Sequence, residues 1–320
     1  MTNSSAITVL QTSELPAPAE HFLKNHFQLL RVPEDKTARQ DFLSRHGSEI
    51  RAIAGSGKGK VDVAMLAALP NLEIISVQSA GLDGIDTKAV AARSIPISNT
   101  STVLADDVAD LALWLVLGTT RKLVEADAFI RRGEWTYVNM YPLGKTISTM
   151  KIGIIGLGHI GKAIARRLEM LGAEVAYTGR SKQHGEQCRY FPDTEALAIW
   201  SDVLVVSCPA TAETHHLVNE AVIKALGPDG ILVNIARGSI VDEAALARAI
   251  ASGALYGAGL DVFEFEPEIA QALVESNRTI LLPHIGSATE GTRNRMWQHM
   301  IEVLLAHFDM PPADWSALGK

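Results

Sequence analysis

An α/β protein built from two parallel-sheet domains is the fold class this sequence predicts, and three observations predict it. Short apolar runs alternate with helical periodicities along nearly the whole chain, the pattern of βαβ units. At 320 residues the chain is long enough for two domains of ordinary size. Near its middle, Lys151-Ile-Gly-Ile-Ile-Gly-Leu-Gly-His-Ile-Gly161 joins a strand-like run, Ile152 to Ile155, to an amphipathic helix with Ile160, Ile164, Leu168 and Leu171 on one face.

Gly156, Gly158 and Gly161 make this junction a G-x-G-x-x-G in the strand–turn–helix setting that a dinucleotide fingerprint requires. Gly156 makes the tight turn, Gly158 lets backbone approach a pyrophosphate, and Gly161 lets the helix close on the strand. The helix N-terminus adds free N–H groups and partial positive charge. Leu157, His159 and Ile160 stand in the same turn and join the candidate cofactor contacts. The competing reading is a glycine-rich turn in an unrelated α/β unit. The second strand, Glu174 to Gly179, favours the nucleotide.

In the first third, strands are expected at Ile7–Gln11, Gln28–Val32, Arg51–Gly55, Glu73–Gln78 and Pro96–Ser98, with helices around Phe22, Phe42, Ala64 and Ala89. Two loops follow strand ends, Gly55 to Gly59 and Ser79-Ala-Gly-Leu-Asp83, where ligands of open α/β sheets bind. For Gly55 to Gly59 a plain flexible connection is an equal alternative. One long helix is expected from Leu104 to Arg132, with acids in its first turn, arginines in its last and Gly133 beyond. Residues 134–149 read as an irregular segment whose aromatics pack. Six further strands, at Lys151–Gly156, Glu174–Gly179, Asp202–Ser207, Ile231–Ala236, Gly257–Phe263 and Thr279–Pro283, fit a doubly wound sheet, and a last helix runs from Ala288 to Phe308.

Composition narrows the class. With 47% hydrophobic and 20% charged residues the chain can bury real cores, and a net charge of −7 offers no basic footprint for nucleic acid. Two cysteines, Cys188 and Cys208, make no disulfide framework and suggest a reducing compartment. No signal peptide or membrane span is visible, so a cytoplasmic enzyme is expected.

Three polar residues stand just past strand ends of the second domain. Arg237 follows Ile231–Ala236, Glu266 follows Asp261-Val-Phe263, and His284 follows Leu281-Leu-Pro283. An arginine there can hold a carboxylate through two bonds. A histidine can move a proton near neutral pH, and a neighbouring carboxylate would orient it and favour its charged form. Taken singly, each has a plain reading: a surface charge, a helix-start residue, a satisfied strand-end histidine. Their joint placement beside a nucleotide site argues against all three being incidental. No metal-ligand spacing is present: His215 and His216 are adjacent and read as solvated loop residues.

On Gly156-Leu-Gly-His-Ile-Gly161, Asn234-Ile-Ala-Arg-Gly238, Val241-Asp-Glu243, Gly259-Leu-Asp-Val-Phe263 with Glu266-Pro267, and Pro283-His-Ile-Gly286, the chain resembles the D-isomer-specific 2-hydroxyacid dehydrogenases over nearly its whole length. Within them it is most similar to glyoxylate/hydroxypyruvate and hydroxyphenylpyruvate reductases. The supporting stretches are Ser79-Ala-Gly-Leu-Asp83, Asp106-Asp-Val-Ala-Asp110, Arg131-Arg-Gly-Glu-Trp135 and Ala225-Leu-Gly-Pro228. The resemblance implies two Rossmann-like or flavodoxin-like domains. The dinucleotide-binding domain, about residues 102–286, is inserted into a substrate-binding domain of residues 1–101 and 287–320. It also implies a homodimer through the cofactor domains and catalysis in the interdomain cleft.

By motif position, Arg237 would bind substrate carboxylate and carbonyl, His284 would be the acid/base and Glu266 its partner. Asp261 would touch the nicotinamide carboxamide. Ala80 and Gly81 would give backbone N–H groups to the substrate carboxylate, and Ile235, Ala236 and the Cys208-Pro209 turn would line the cofactor. NAD-dependent relatives end the second strand in an acidic residue for the adenosine ribose. Here that place holds Gly179, followed by Arg180, Ser181 and Lys182, which fits the 2′-phosphate of NADP. The resemblance thus implies reduction of small 2-keto acids with NADP(H) preferred and NAD(H) possible, bulkier keto acids being the alternative. A nucleotide-sensing corepressor is the reading from a different class, and the lack of long polar extensions speaks against it.

Overall fold

The structure, a computed structural model, describes residues 7–138 and 141–315. Its contacts divide into two units, residues 1–104 with 289–320, and residues 105–288. The first begins with β1 (Thr8–Gln11), α1 (Ala17–His26), β2 (Gln28–Arg31), α2 (Lys36–His46), β3 (Ile50–Gly55), α3 (Val63–Ala68), β4 (Ile74–Val77), α4 (Thr87–Ala92) and β5 (Ile97–Ser98). Its strands are all parallel, in the order β2-β1-β3-β4-β5. This is the order of the flavodoxin-like sheet. Asp35, Asp62 and Asp86 begin three of the helices by accepting a backbone N–H three residues on, each contributing about 1 kcal/mol.

The second unit opens with α5 (Ala105–Arg121) and α6 (Leu123–Arg131). There follow β6 (Lys151–Ile155), α7 (His159–Met170), β7 (Glu174–Thr178), β8 (Arg189–Phe191), α8 (Thr194–Trp200), β9 (Val203–Val206), α9 (Glu220–Leu226), β10 (Ile231–Asn234), α10 (Glu243–Ser252), β11 (Gly257–Leu260), α11 (Gln271–Val274) and β12 (Thr279–Leu281). The sheet order is β12-β11-β10-β9-β6-β7-β8, again wholly parallel. The strand sequence reverses between β6 and β9, the switch point at which such sheets bind ligands. Helix α5 lies close over β11, because a side chain on Gly257 would meet Thr119 and one on Gly259 would meet Leu115. The opposite face carries Leu197, Val222, Leu246 and Ile250 from α8, α9 and α10.

The last helix, α12 (Glu290–His307), returns to the first unit. Successive strand residues point to opposite faces. Leu10, Ile53 and Ile75 therefore join Leu43, Met65 and Val90 on one side. Val9, Ala52, Ala54 and Ile74 meet Leu23, Trp297, Met300, Ile301 and Leu304 on the other. The Ser76 hydroxyl donates to the Met300 carbonyl across that face at 3.0 Å.

Three expectations need correction. The long helix expected from Leu104 to Arg132 is two helices, because Lys122 adopts φ +52°. The Thr120 carbonyl, near the end of the first helix, accepts from the Lys145 N–H at 2.9 Å instead of continuing the spiral. The second sheet has seven strands, the addition being the three-residue edge strand β8. The strands before the candidate site also end earlier than read, at Asn234, Leu260 and Leu281. At the first, the Asn234 side chain takes over the backbone, accepting from Ala236 N–H at 3.0 Å and donating to the Arg237 carbonyl at 2.9 Å. Residues 139 and 140 of the expected irregular segment lie outside the described residues.

Leu304 is fully buried in α12. Leu304→Ala is expected to cost about 3 kcal/mol. Hydrogen exchange should quicken in β1, β3 and β4 and stay unchanged in β6 and β9. Equal quickening in both sheets would contradict the assignment of α12 to the first unit.

Candidate active site

The β6–α7 turn has the shape its glycines demand. Gly156 sits at φ +94°, and a Cβ there would press on Cys208 at 2.7 Å. A Cβ on Gly161 would collide with the Gly156 carbonyl, so helix and strand are in direct contact. Above Gly158, by contrast, a Cβ would meet nothing within 4 Å. Gly158 and His159 are exposed, Ile160 is half-buried, and Leu157 is buried. The first-turn N–H groups of α7 have no acceptor within the helix. Open space over glycine, with free N–H groups beside it, fits a pyrophosphate.

At the end of β7, Gly179 also opens on free space. Arg180, Ser181 and Lys182 are exposed, and neither cation is paired with a carboxylate among the described residues. The turn is held by Tyr177, whose hydroxyl accepts from Gln183 N–H at 2.8 Å, and by Gln183, whose amide donates to the Leu157 carbonyl at 2.7 Å. Burial pushes the Cys208 thiol up to about 11. The Cys188 thiol, half-buried and bonded to the Glu169 carboxylate, is pushed up to about 12. Neither is a thiolate nucleophile at neutral pH.

Arg237, Glu266 and His284 follow the ends of β10, β11 and β12, which are neighbours in the sheet. His284 Nδ1 lies 2.9 and 3.0 Å from the two Glu266 carboxylate oxygens. That carboxylate accepts, so Nδ1 carries a proton and Nε2 is the nitrogen left for a substrate. His284 adopts φ +56°, a conformation rare outside glycine. Asp261 holds it there: its carboxylate, 1% exposed, accepts from Ile285 N–H and Gly286 N–H, each at 2.8 Å. Burial raises the Asp261 carboxyl above the usual range, against the pull of those two bonds. The guanidinium of Arg237 donates to the Ala236 carbonyl at 2.6 Å. The adjoining Gly238 lies so close to Phe263 and Glu264 that no side chain would fit. Ile235 is buried, Ala236 and Cys208 half-buried, and Pro209 exposed.

In the first unit, the Ser79 hydroxyl accepts from Gly57 N–H at 2.7 Å and donates to the Gly81 carbonyl at 3.0 Å. Gly84 N–H returns to the Gly57 carbonyl at 2.6 Å. The Gly55–Gly59 loop is therefore hydrogen-bonded to Ser79 and Gly84 and is not a slack connection. The half-buried N–H groups of Ala80 and Gly81 have no acceptor among the described residues.

Residues 113–286 match the family model described as D-isomer specific 2-hydroxyacid dehydrogenase, NAD binding domain. The chain belongs to the D-isomer-specific 2-hydroxyacid dehydrogenases. It is 42% identical to hydroxyphenylpyruvate reductase of Plectranthus scutellarioides over 96% of this chain and 97% of that protein. It is 41% identical to glyoxylate/hydroxypyruvate reductase A of Arabidopsis thaliana over 95% and 96%. Among solved structures, the NADPH-dependent glyoxylate/hydroxypyruvate reductase of Sinorhizobium meliloti, in complex with NADP and malonate, superposes with a TM-score of 0.83. It shares 39% identity and covers 95% of this chain and 94% of that one.

Two features of this dehydrogenase escape a reading of its sequence. Glu243, seen there only as part of a family motif, is buried. Its carboxylate accepts from Glu264 N–H at 2.9 Å and Ala270 N–H at 3.0 Å, bracing both ends of the loop that carries Glu266. A Glu in the first turn of a helix reads as a dipole partner, and only the fold brings a distant loop to it. His216, read as solvated, is half-buried, and its Nε2 lies 2.7 Å from Glu264 Oε1. The left-handed φ of +49° at His216 turns the ring inward, which adjacency alone cannot reveal.

Glu243→Ala would strand two N–H groups. Loss of two charge-assisted bonds is expected to cost about 3 kcal/mol, with faster hydrogen exchange concentrated in 264–270. Unchanged exchange there would show that the brace is not what orders the loop.

Proposed function

We propose that this chain reduces small 2-keto acids, glyoxylate and hydroxypyruvate first, to D-2-hydroxy acids, with NADPH preferred over NADH. The single observation that carries the chemistry is the His284–Glu266 pair, a histidine held by a carboxylate at Nδ1 with Nε2 left for a substrate. His284 delivers its Nε2 proton to the substrate's keto oxygen, and Glu266 keeps the ring oriented through Nδ1. Arg237 binds the substrate carboxylate and steadies charge on the reacting oxygen. The bound nicotinamide supplies the hydride.

The fingerprint turn from Gly156 to Gly161 would hold the pyrophosphate. Ile235, Ala236, Cys208, Pro209 and Asp261 would line the rest of the cofactor. The NADPH preference is supported by Arg180 and Lys182, which pair with no carboxylate among the described residues, and by the missing carboxylate at Gly179. The NADPH-dependent relative, bound to NADP, adds to that support. A homodimer through the cofactor domain is supported by exposed Leu123, Val124, Ile130, Trp135, Tyr137 and Val138. Two free cysteines fit a cytoplasmic setting. No helix among the described residues is long and apolar enough to cross a membrane. A bulkier aryl pyruvate is the second reading, favoured by the likeness to a hydroxyphenylpyruvate reductase. Initial rates with glyoxylate, hydroxypyruvate and hydroxyphenylpyruvate, each with NADPH and NADH, test the proposal. Absence of turnover on all three would refute it.

Glu266→Ala removes the carboxylate that holds the His284 ring by its Nδ1. The ring then loses the orientation that presents Nε2, so kcat for keto-acid reduction is expected to fall at least about tenfold, with the Kd for NADPH unchanged. An unchanged kcat would take Glu266 out of the mechanism. Gly179→Asp with Arg180→Ala should shift the NADPH/NADH ratio of kcat/KM toward NADH by at least about tenfold, through KM. An unaltered ratio would defeat the phosphate assignment.

A further inference from the structure

Beside the His284–Glu266 pair, the unit of residues 105–288 holds a second cluster of histidine and carboxylate. His215, His216 and Glu264 each offer one ligand atom, and the three atoms lie within 4.8 Å of one another. Neighbouring residues in extended chain point to opposite sides. Here the φ of +49° at His216 brings both rings to one side, stacked with centroids 4.1 Å apart. Strained backbone at a non-glycine residue persists only where its surroundings enforce it. His216 N–H is tied to the Ser239 carbonyl at 2.9 Å, and Glu264 N–H to the Glu243 carboxylate at 2.9 Å. Both donor-bearing segments are thus fixed from behind. A plain histidine–carboxylate hydrogen bond would account for His216 and Glu264. It leaves the His215 ring, which has no hydrogen-bond partner among the described residues, with nothing to do.

We propose that His215, His216 and Glu264 form a binding site for one first-row divalent transition ion, zinc fitting best. Two imidazoles and one carboxylate are a ligand set that zinc uses when a fourth position stays open to water. Magnesium and calcium demand oxygen ligands and octahedral or larger shells, which two imidazoles do not supply. Donors on one tetrahedral zinc lie about 3.3 Å apart. Side-chain rotation of the exposed His215 closes the triangle, and the 2.7 Å His216–Glu264 contact opens as its shared proton leaves. Because Glu264 lies two residues before Glu266, an ion there braces the segment carrying the histidine's partner. The site differs in residues and in ligand from the one assigned to the substrate and nucleotide, and it stands whether or not that assignment does.

The test is calorimetric titration of ZnCl2 into the full chain, with any affinity tag removed and prior metal stripped by chelator. Wild type is expected to bind one equivalent. His215→Ala and Glu264→Gln should each weaken binding by about 100-fold, no less than the loss of an outer partner costs at other metal sites. His21→Ala, on an exposed helix, should bind as wild type, and MgCl2 should give no heat of binding. No stoichiometric binding to wild type overturns the proposal, and so does wild-type affinity in His215→Ala. That substitution removes only an exposed ring, so it stays decisive even if His216→Ala does not fold.

Discussion

A buried carboxylate, Asp261, is the constraint on which the candidate site rests. Its two oxygens hold consecutive N–H groups, those of Ile285 and Gly286, and so impose the turn that sets His284 at φ +56°. The cost is real: burial opposes the charge, and the carboxyl stands above its usual range for that reason. Glu243 does the same service for the other half of the pair, holding N–H groups on both sides of Glu266. Two acids bonded to backbone N–H groups thus aim the two groups that would meet a substrate. The loop that carries Glu266 could not be ordered by apolar packing alone, since Glu266 and its neighbours at 265, 267 and 268 are exposed.

The glycines of the β6–α7 turn divide their labour in the same physical terms. Two of them permit protein to touch protein, Gly156 against Cys208 and Gly161 against the Gly156 carbonyl. A Cβ on Gly158 would touch nothing, and that open space is the part free for a ligand. The topology adds the rest. In a wholly parallel sheet every strand ends on the same side, so the loops after β6, β7, β9, β10, β11 and β12 face one edge.

Both sheets were legible in the sequence because buried parallel strands are apolar runs bounded by turn residues, as in Ile152–Ile155 and Ile231–Val233. The three polar groups were legible because each stands within a few residues of the end of such a run. Local patterns failed where distant contacts decide. The periodicity from Leu104 to Arg132 is continuous, and the break at Lys122 depends on Lys145, far along the chain. The edge strand β8 is too short to show alternation. The roles of Glu243 and His216 depend on Glu264, which no spacing in the sequence connects to either.

The division of the chain has a consequence for how the protein is made. Helix α12 covers Val9, Ala52, Ala54 and Ile74, yet it lies beyond the whole second unit in sequence. On the ribosome, the part of that face not covered by α1 therefore stays open until α12 emerges. At about 5–20 residues per second that delay is on the order of ten to forty seconds. The second unit is continuous and meets all its partners first. Synthesis thus runs through a stage with one finished domain and one half-covered sheet, and it is then, rather than in the native state, that the chain is most exposed to chaperones and to self-association.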